Sequence, residues 1–290
     1  MPTLREVKKR IRSVINTRQI TKAMEMVAAA KLRRAQMRIG QVRPYSEKLD
    51  VILHHLSAAS SGELSHPYFE EREVKNETLV LATSDRGFCG SFNANLNRKG
   101  MEWLSGKDPE KVELVCLGKK GFDFFKRRQY QVAKKYIDWV ANLNDDDMAK
   151  IRDVVSYLTG RFMSGETDRI TVIYTQFISM ARYKITEARY LPVERPEADE
   201  NEMGLDYIFE PSPEVIFSDI MPKYALTKMI RIMADSFAAE QGTRMVAMNA
   251  ATKNAGEMID RLTLQYNKAR QAAITKELLE IVSGAEALKG

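Results

Sequence analysis

A seven-residue apolar repeat runs from Leu4 to Leu56, and it limits what this chain can fold into more than any other feature. Steps of four and three residues from Leu4 select Val7, Ile11, Val14, Arg18, Thr21, Glu25, Ala28, Leu32, Ala35, Ile39, Val42, Ser46, Leu49, Leu53 and Leu56. Only Arg18, Thr21, Glu25 and Ser46 among them are polar. A heptad held over so many turns marks a coiled-coil seam. About 55 helical residues make a rod of roughly 80 Å, far more than one small core can cover. Pro44 lacks an amide hydrogen, which predicts a bend near Gly40 to Arg43 with the register surviving it.

A second arm is expected from about Ser212 to Leu288. It keeps the same spacing at Ile259, Leu262, Tyr266, Ala269 and Ala273, then shifts phase to Ile274, Leu278, Ile281, Ala285 and Leu288. Pro222 fits the first turn of its main helix, where a missing amide hydrogen costs little. Ala247, Ala250, Ala251, Ala255 and Gly256, with Ala28 to Ala30 in the first arm, thin the side chains enough for a close backbone approach. Long helices from opposite termini meet by folding back into an antiparallel pair. On periodicity alone, a helical hairpin packed on its own domain is the plain alternative.

The stretch between the arms alternates strand and helix. After a polar link around Ser60 to Glu77, Leu79 to Thr83 reads as a buried strand, Phe92 to Leu104 as a helix, and Val112 to Leu117 as a second strand. A short helix is expected over Lys120 to Arg128 and a longer one over Asp146 to Met163. Ile170 to Ile178 and Tyr183 to Leu191 are close enough to pair as a hairpin. The pattern predicts a mostly parallel sheet with an antiparallel edge. The expected class is therefore α/β, with a long antiparallel coiled coil of N- and C-terminal helices plus a Rossmann-like central domain. Its segments are an N-terminal arm at 1–59, a linker at 60–76, the Rossmann-like domain at 77–193, an acidic loop at 194–211 and a C-terminal arm at 212–290.

Sheets of this kind bind ligands at the carboxyl ends of their strands, and Ser84-Asp85-Arg86-Gly87-Phe88-Cys89-Gly90 occupies that place after the first strand. It lacks the G-x-G-x-x-G glycines that let backbone approach a pyrophosphate. Gly160 to Thr167 has two glycines and a threonine, but it puts Glu166 where a phosphate loop carries Lys and it ends a helix. A carboxylate there repels phosphate, so no nucleotide site is expected. Asp85 and Arg86 read as a turn and a structural ion pair.

Of the chain's 290 residues, 44% are hydrophobic and 29% charged, enough for a sizeable core plus extended elements. No run approaches the roughly 18 apolar residues of a membrane span, and no signal-peptide core stands near the start. The Arg-rich beginning resembles a transit peptide, yet the heptad runs into it unbroken, which favours mature structure and a bacterial cytosolic origin. Cys89 and Cys116 are too few for a disulfide framework or a Cys-based zinc site and read as core thiols on separate strands. His54, His55 and His66 have no carboxylate cluster beside them, so no metal and no catalytic group is assigned. Residues 1–40 carry eleven Lys and Arg against Glu6 and Glu25, and 194–214 carry eight acidic residues against Arg195. A basic rod and an acidic loop suggest two different partners.

Three strings then narrow the reading. They are Ile15-Asn16-Thr17-Arg18-Gln19-Ile20-Thr21-Lys22-Ala23-Met24-Glu25-Met26-Val27-Ala28-Ala29, the S-D-R-G-F-C-G turn at Ser84, and Tyr266-Asn267-Lys268-Ala269-Arg270-Gln271-Ala272-Ala273-Ile274-Thr275-Lys276-Glu277 leading to Ile281-Val282-Ser283-Gly284-Ala285. Together they closely resemble the gamma subunits of F-type ATP synthases, in the right order and over essentially the whole chain.

The resemblance implies a non-catalytic central-stalk rotor without cofactor, coupling proton flow through a membrane ring to the nucleotide sites of its neighbours. Implied partners are three alpha and three beta subunits around the arms, and epsilon and the ring of c subunits at the middle domain. The complex would be peripheral on the cytoplasmic side of the cell membrane. By the same resemblance, Lys22, Met24, Arg270, Gln271, Thr275 and Glu277 meet beta subunits, and Ile281, Val282, Ala285 and Leu288 form a bearing tip. Glu202, Asp206 and Tyr207 meet epsilon or the c ring. No thiol control is implied. Read from the residues alone, Lys22 is equally a solvated charge and Met24 equally a seam residue. A nucleic-acid-binding coiled coil is the rival class, because Arg5, Lys8, Lys9, Arg10, Arg12, Lys31, Arg33, Arg34 and Arg38 form a basic stripe. That stripe has no interleaved aromatics on which bases would stack.

Overall fold

The computed structural model describes residues 3–59, 66–138, 145–179, 182–194, 210 and 212–287. Helix α1 (Leu4–Ala59) leads to strand β1 (Glu77–Ala82), helix α2 (Phe92–Leu104), β2 (Val112–Leu117), α3 (Lys119–Lys126), β3 (Val132–Tyr136), α4 (Asp145–Met163), β4 (Arg169–Ser179), β5 (Arg182–Leu191) and α5 (Pro213–Ala287). The chain divides into two compact units, one of residues 1–28 with 245–290 and one of residues 29–244.

In the larger unit a five-stranded sheet runs in the order β3-β2-β1-β4-β5. The first four strands pair in parallel and β5 closes the edge antiparallel to β4. This is the mostly parallel sheet with an antiparallel edge that the alternation predicts. Strand β3 is an addition: V-A-K-K-Y carries too little apolar sequence to stand out, because only one of its faces is covered and Lys134 and Lys135 are at the sheet's edge. Val80, Val115, Ile170 and Val172 are fully buried and join Ile151, Val154, Leu158 and Phe162 of α4 in one core with Leu53 and Leu56 of α1 and Phe217, Met221, Met229 and Ile232 of α5.

Part of the stretch read as a polar link is built into this core. Pro67–Phe69 forms a 3-10 turn in which the Tyr68 amide donates to His66 Nδ1 at 3.1 Å, and Tyr68 and Phe69 are buried. The Phe69 ring stacks on Phe217 at 5.4 Å between centroids. The Val193 amide donates to the Tyr68 carbonyl at 2.7 Å, which ties the turn to the end of β5.

Neither proline ends its helix. Helix α1 continues through Pro44, and Pro222 is interior to α5, which already begins at Pro213. Pro222 thus does not stand in a first turn as expected; that place belongs to Pro213, whose missing amide hydrogen costs little at a helix start, with Glu214 beside it. Cys116 is on β2 as expected, but Cys89 is in the turn before α2 instead of on a strand. Both thiols are buried and free. Among the described residues no helix is long and apolar enough to cross a membrane.

In the smaller unit the heptad positions of α1 face inward. Val7 and Ala28 are buried, Leu4, Ile11, Val14, Thr21 and Glu25 are half-buried, and Arg18 alone is exposed. On α5 the buried positions Met248, Ala255 and Leu262 are one heptad apart, flanked by half-buried Ile259, Tyr266, Ala269 and Ala273. Of the small residues expected at a close approach, Ala28 and Ala255 are buried. Ala250 is exposed and a methyl added at Gly256 would meet nothing within 4 Å.

Candidate functional site

Strand order reverses between β1 and β4, which puts the ligand crevice of such a sheet beyond their carboxyl ends. The turn after β1 is held there by a closed set of bonds. Ser84 Oγ donates to the Arg86 carbonyl at 2.6 Å, the Ser84 amide donates to Asn93 Oδ1 at 3.0 Å, and Asn93 Nδ2 donates to Cys89 Sγ at 3.2 Å. Asp85 Oδ1 accepts from the Lys119 amide at 2.8 Å, capping α3. Gly118, at φ +103°, leaves no room for a side chain, since an added Cβ would sit 2.3 Å from the Thr83 carbonyl oxygen.

Helix α5 fills the crevice. Ser236 Oγ approaches the Ala82 carbonyl at 3.5 Å. Arg244 Nη2 donates to the carbonyls of Arg86 at 3.3 Å and Gly87 at 3.2 Å, and its Nη1 pairs with Glu240 Oε1 at 2.6 Å. Burial raises the Glu240 carboxyl above its ordinary value, with Arg244 opposing the rise. A cavity of about 200 Å³ remains, bordered by the cations Lys31, Arg86 and Arg244 and the anions Asp85, Asp138 and Glu240. Its charges nearly balance, and its inner wall is made of α5 side chains where a phosphate-binding fold has a glycine loop. Nearby, Asp235 is 1% exposed, neither carboxylate oxygen has a hydrogen-bond partner among the described residues, and burial pushes its carboxyl up to about 6 against the pull of Arg43 and Arg231.

The sequence that imitates a phosphate loop is the end of α4. Gly165, at φ +76°, terminates the helix, and the Glu166 and Thr167 amides donate back to the Arg161 carbonyl. Their hydrogens are thus already used within the chain. Glu166 pairs with Arg161, and the buried Thr167 hydroxyl bonds Thr78 Oγ1 at 3.0 Å.

The residues assigned to partner contact lie on the helices of the smaller unit. Lys22 is exposed and pairs with Glu25 at 3.0 Å, whereas Met24 is half-buried. Arg270, Gln271, Thr275 and Glu277 are all exposed on α5, with Thr275 Oγ1 bonded to the Gln271 carbonyl at 3.0 Å. Ile281 is 67% and Val282 58% exposed, alongside exposed Ile274, Leu278 and Leu279. Ala285 lies within the helix, its side chain outside the description; Leu288, Glu202, Asp206 and Tyr207 lie outside the described residues.

Two groups were not singled out from sequence. Arg244 looks like one more basic helix residue until its carbonyl partners are known. The pair Asn249 and Thr252 faces the polar seam positions of α1: Thr252 and Thr21 hydroxyls are 2.9 Å apart, and Asn249 Nδ2 donates to Glu25 Oε1 at 3.1 Å. The signal for this pair was present as two polar residues interrupting an apolar seam.

That register also explains why α5 ends bare. Stepping in opposite directions from Thr21 opposite Thr252 sets Val14 against Ile259, Ile11 against Leu262, Val7 against Tyr266 and Leu4 against Ala269. Helix α1 begins at Leu4, so among the described residues the phase-shifted stripe of α5 past Ala273 has no α1 position opposite it.

Comparison with known proteins agrees over the full length. The ATP synthase family model matches residues 3–288. The ATP synthase gamma chain of Desulforamulus reducens is 41% identical, with all of both chains covered. That of Chlorobium phaeobacteroides is 43% identical, again over all of both chains. Among solved structures, a chain of the Euglena gracilis mitochondrial ATP synthase superposes with a TM-score of 0.70 over 98% of this chain and 94% of that one, at 19% identity. A chain of its rotor gives 0.65 over 93% and 98%, at 18% identity. An α/β sheet domain with long terminal helices, a filled nucleotide crevice and full-length identity above two-fifths together mean that the chain belongs to the family of ATP synthase gamma chains.

Proposed function

We propose that this chain is the non-catalytic central-stalk rotor of an F-type ATP synthase, transmitting proton-driven rotation to the nucleotide sites of three alpha and three beta subunits. The observation that carries the reading is the uncovered apolar end of α5. Ile274, Leu278, Ile281 and Val282 are exposed where the helix has outrun its partner, and a contiguous bare apolar surface on a stable helix calls for a surrounding partner. A smooth apolar tip suits a bearing, since it offers no directional bonds that must break as it turns.

Lower on the same unit, Lys22 and Met24, and above them Arg270, Gln271, Thr275 and Glu277, present unequal faces to otherwise identical beta subunits. Differences in binding free energy among three states are what shift their equilibria. Glu202, Asp206 and Tyr207 are assigned to epsilon and the c ring through the family resemblance. The complex is peripheral on the cytoplasmic side of the cell membrane, and nucleic acid is not a partner.

Rotation is tested by pinning. With Ala285→Cys cross-linked to an alpha subunit in reassembled membranes, proton-driven ATP synthesis stops unless α5 unwinds around the bond, and reduction restores it. Full gradient-dependent turnover with both arms cross-linked to the hexamer at two heights would overturn the rotor reading, because a doubly pinned pair of helices does not turn.

A further inference from the structure

We infer that Thr21 and Glu25 of α1 with Asn249 and Thr252 of α5 form a register lock, a polar clasp that selects one axial alignment of the two helices. The neighbouring seam does not specify its own alignment. Apart from Tyr266 it is made of Val, Ile, Leu, Ala and Met side chains recurring every seven residues, and a slip of one turn mostly exchanges one apolar residue for another. Such a slip is the smallest shift the seam offers and needs only a four-residue stutter in one helix, a displacement of about 6 Å.

The clasp breaks this degeneracy because its bonds exist in a single alignment. Thr21 Oγ1 donates to the Arg18 carbonyl at 3.0 Å, which leaves its lone pairs free to accept from Thr252 Oγ1 at 2.9 Å; the one hydrogen of Thr252 makes that bond between the helices in place of one to the Met248 carbonyl at 2.8 Å on its own helix. Asn249 Nδ2 reaches Glu25 Oε1, which Lys22 Nζ also approaches at 3.0 Å. In the slip that sets Ile11 against Tyr266, Thr21 would come opposite Gly256 and Asn249 opposite Ala28, so the hydroxyl pair and the Asn249–Glu25 bond would both be lost while Glu25 came opposite Thr252. Polar seam residues specify register at a cost in stability, and the cost is visible here: Glu25 Oε2 is sealed from water without a hydrogen-bond partner among the described residues. This inference concerns the helix pair itself and stands whether or not the pair rotates.

Disulfide trapping in the full chain tests it, since Cys89 and Cys116 are buried and do not compete. Ile11→Cys with Leu262→Cys reports the native alignment, and Ile11→Cys with Tyr266→Cys reports a one-turn slip, because Cα atoms more than about 7 Å apart do not bridge without backbone movement. In the native background the first pair is expected to oxidise about ten-fold faster than the second or more. In the variant Thr21→Val, Glu25→Leu, Asn249→Leu, Thr252→Val the two rates are expected to come within roughly two-fold while the melting temperature holds or rises. An unchanged preference in that folded variant would overturn the lock. If the fourfold variant does not fold, Thr21→Val with Thr252→Val, nearly isosteric, is read the same way: a smaller preference supports the lock and an unchanged one overturns it.

Discussion

Helix α5 lives in two environments. From Met229 to Arg244 most residues are buried and none is exposed, with Asp235, Ser236, Gln241, Thr243 and Arg244 among the buried, whereas from Met245 onward only Met248, Ala255 and Leu262 are buried among the described residues, one heptad apart. In the first region the helix is the centre of a domain and its polar side chains have been recruited to sheet and loop carbonyls. In the second it is half of a seam, and its remaining surface faces outward. The lesson is that one uninterrupted helix can serve as a domain core and as a shaft, with the change marked by the spacing of its buried residues and not by any break in the backbone.

The sharpest way to break this comparison is Arg244→Ala. It leaves Glu240 buried without its cation and strips two carbonyls of their donor, so a loss of about 3–5 kcal/mol is expected in chemical denaturation. If the loss is under about 1 kcal/mol, the crevice is not held by this residue. Met229→Ala, in the wrapped region, is expected to cost about 2–5 kcal/mol by leaving a cavity. Leu264→Ala, 57% exposed in the seam region, is expected to stay within about 0.5 kcal/mol. Equal costs for the two would erase the distinction between the environments.

A pH series sharpens it further. Folding raises the Asp235 carboxyl from its ordinary value to about 6, so the folded chain binds this proton more tightly than the unfolded chain does. The resulting stability is fully present below pH 3.8, the unfolded value, and is lost as pH rises through about 6. The total is on the order of 3 kcal/mol at 1.36 kcal/mol per pKa unit. Asp235→Asn is expected to flatten that part of the stability curve; an undiminished slope between pH 4 and about 7 would assign it to other groups.

The smallest expected stability effect is at the bare end. Arg270→Ala with Gln271→Ala touches exposed side chains only, so melting is expected to shift by no more than about 0.5 kcal/mol, while ATP synthesis in reassembled membranes falls. A melting loss that accounts for the whole drop in synthesis would return both residues to a structural role.

The unequal legibility of these regions follows from the same contrast. Periodicity exposed the seam of α1 residue by residue, since a two-helix interface is a one-dimensional problem that sequence spacing solves. It also placed β1, β2, β4 and β5 and the helices between them within about two residues, because buried parallel strands are continuous apolar runs. Strand β3 was missed because an edge strand covered on one face mixes Lys with Val and Tyr. The burial of Tyr68 and Phe69 was missed because their partner Phe217 is distant in sequence. Least legible was the filled crevice. Polar Asp235, Gln241 and Arg244 carry no sequence signal of burial, and only the sheet that wraps them gives them an interior role. Of the site residues, the exposed positions on α5 carry no local pattern of their own and were reached by resemblance alone.

The ties between α5 and the sheet also have a mechanical direction. Tyr190 Oη donates to the Ala225 carbonyl at 2.8 Å, Lys228 Nζ to the Arg189 carbonyl at 2.9 Å, Ser236 reaches Ala82, and Arg244 reaches Arg86 and Gly87. These rivets are spread over about 28 Å of helix. A pull along the helix axis strains them all together, in shear, and they yield only when several fail at once. A sideways peel starting at either end would strain them one after another and open the joint at far lower force. The joint is therefore strong against thrust and twist about the helix axis and weak against prising.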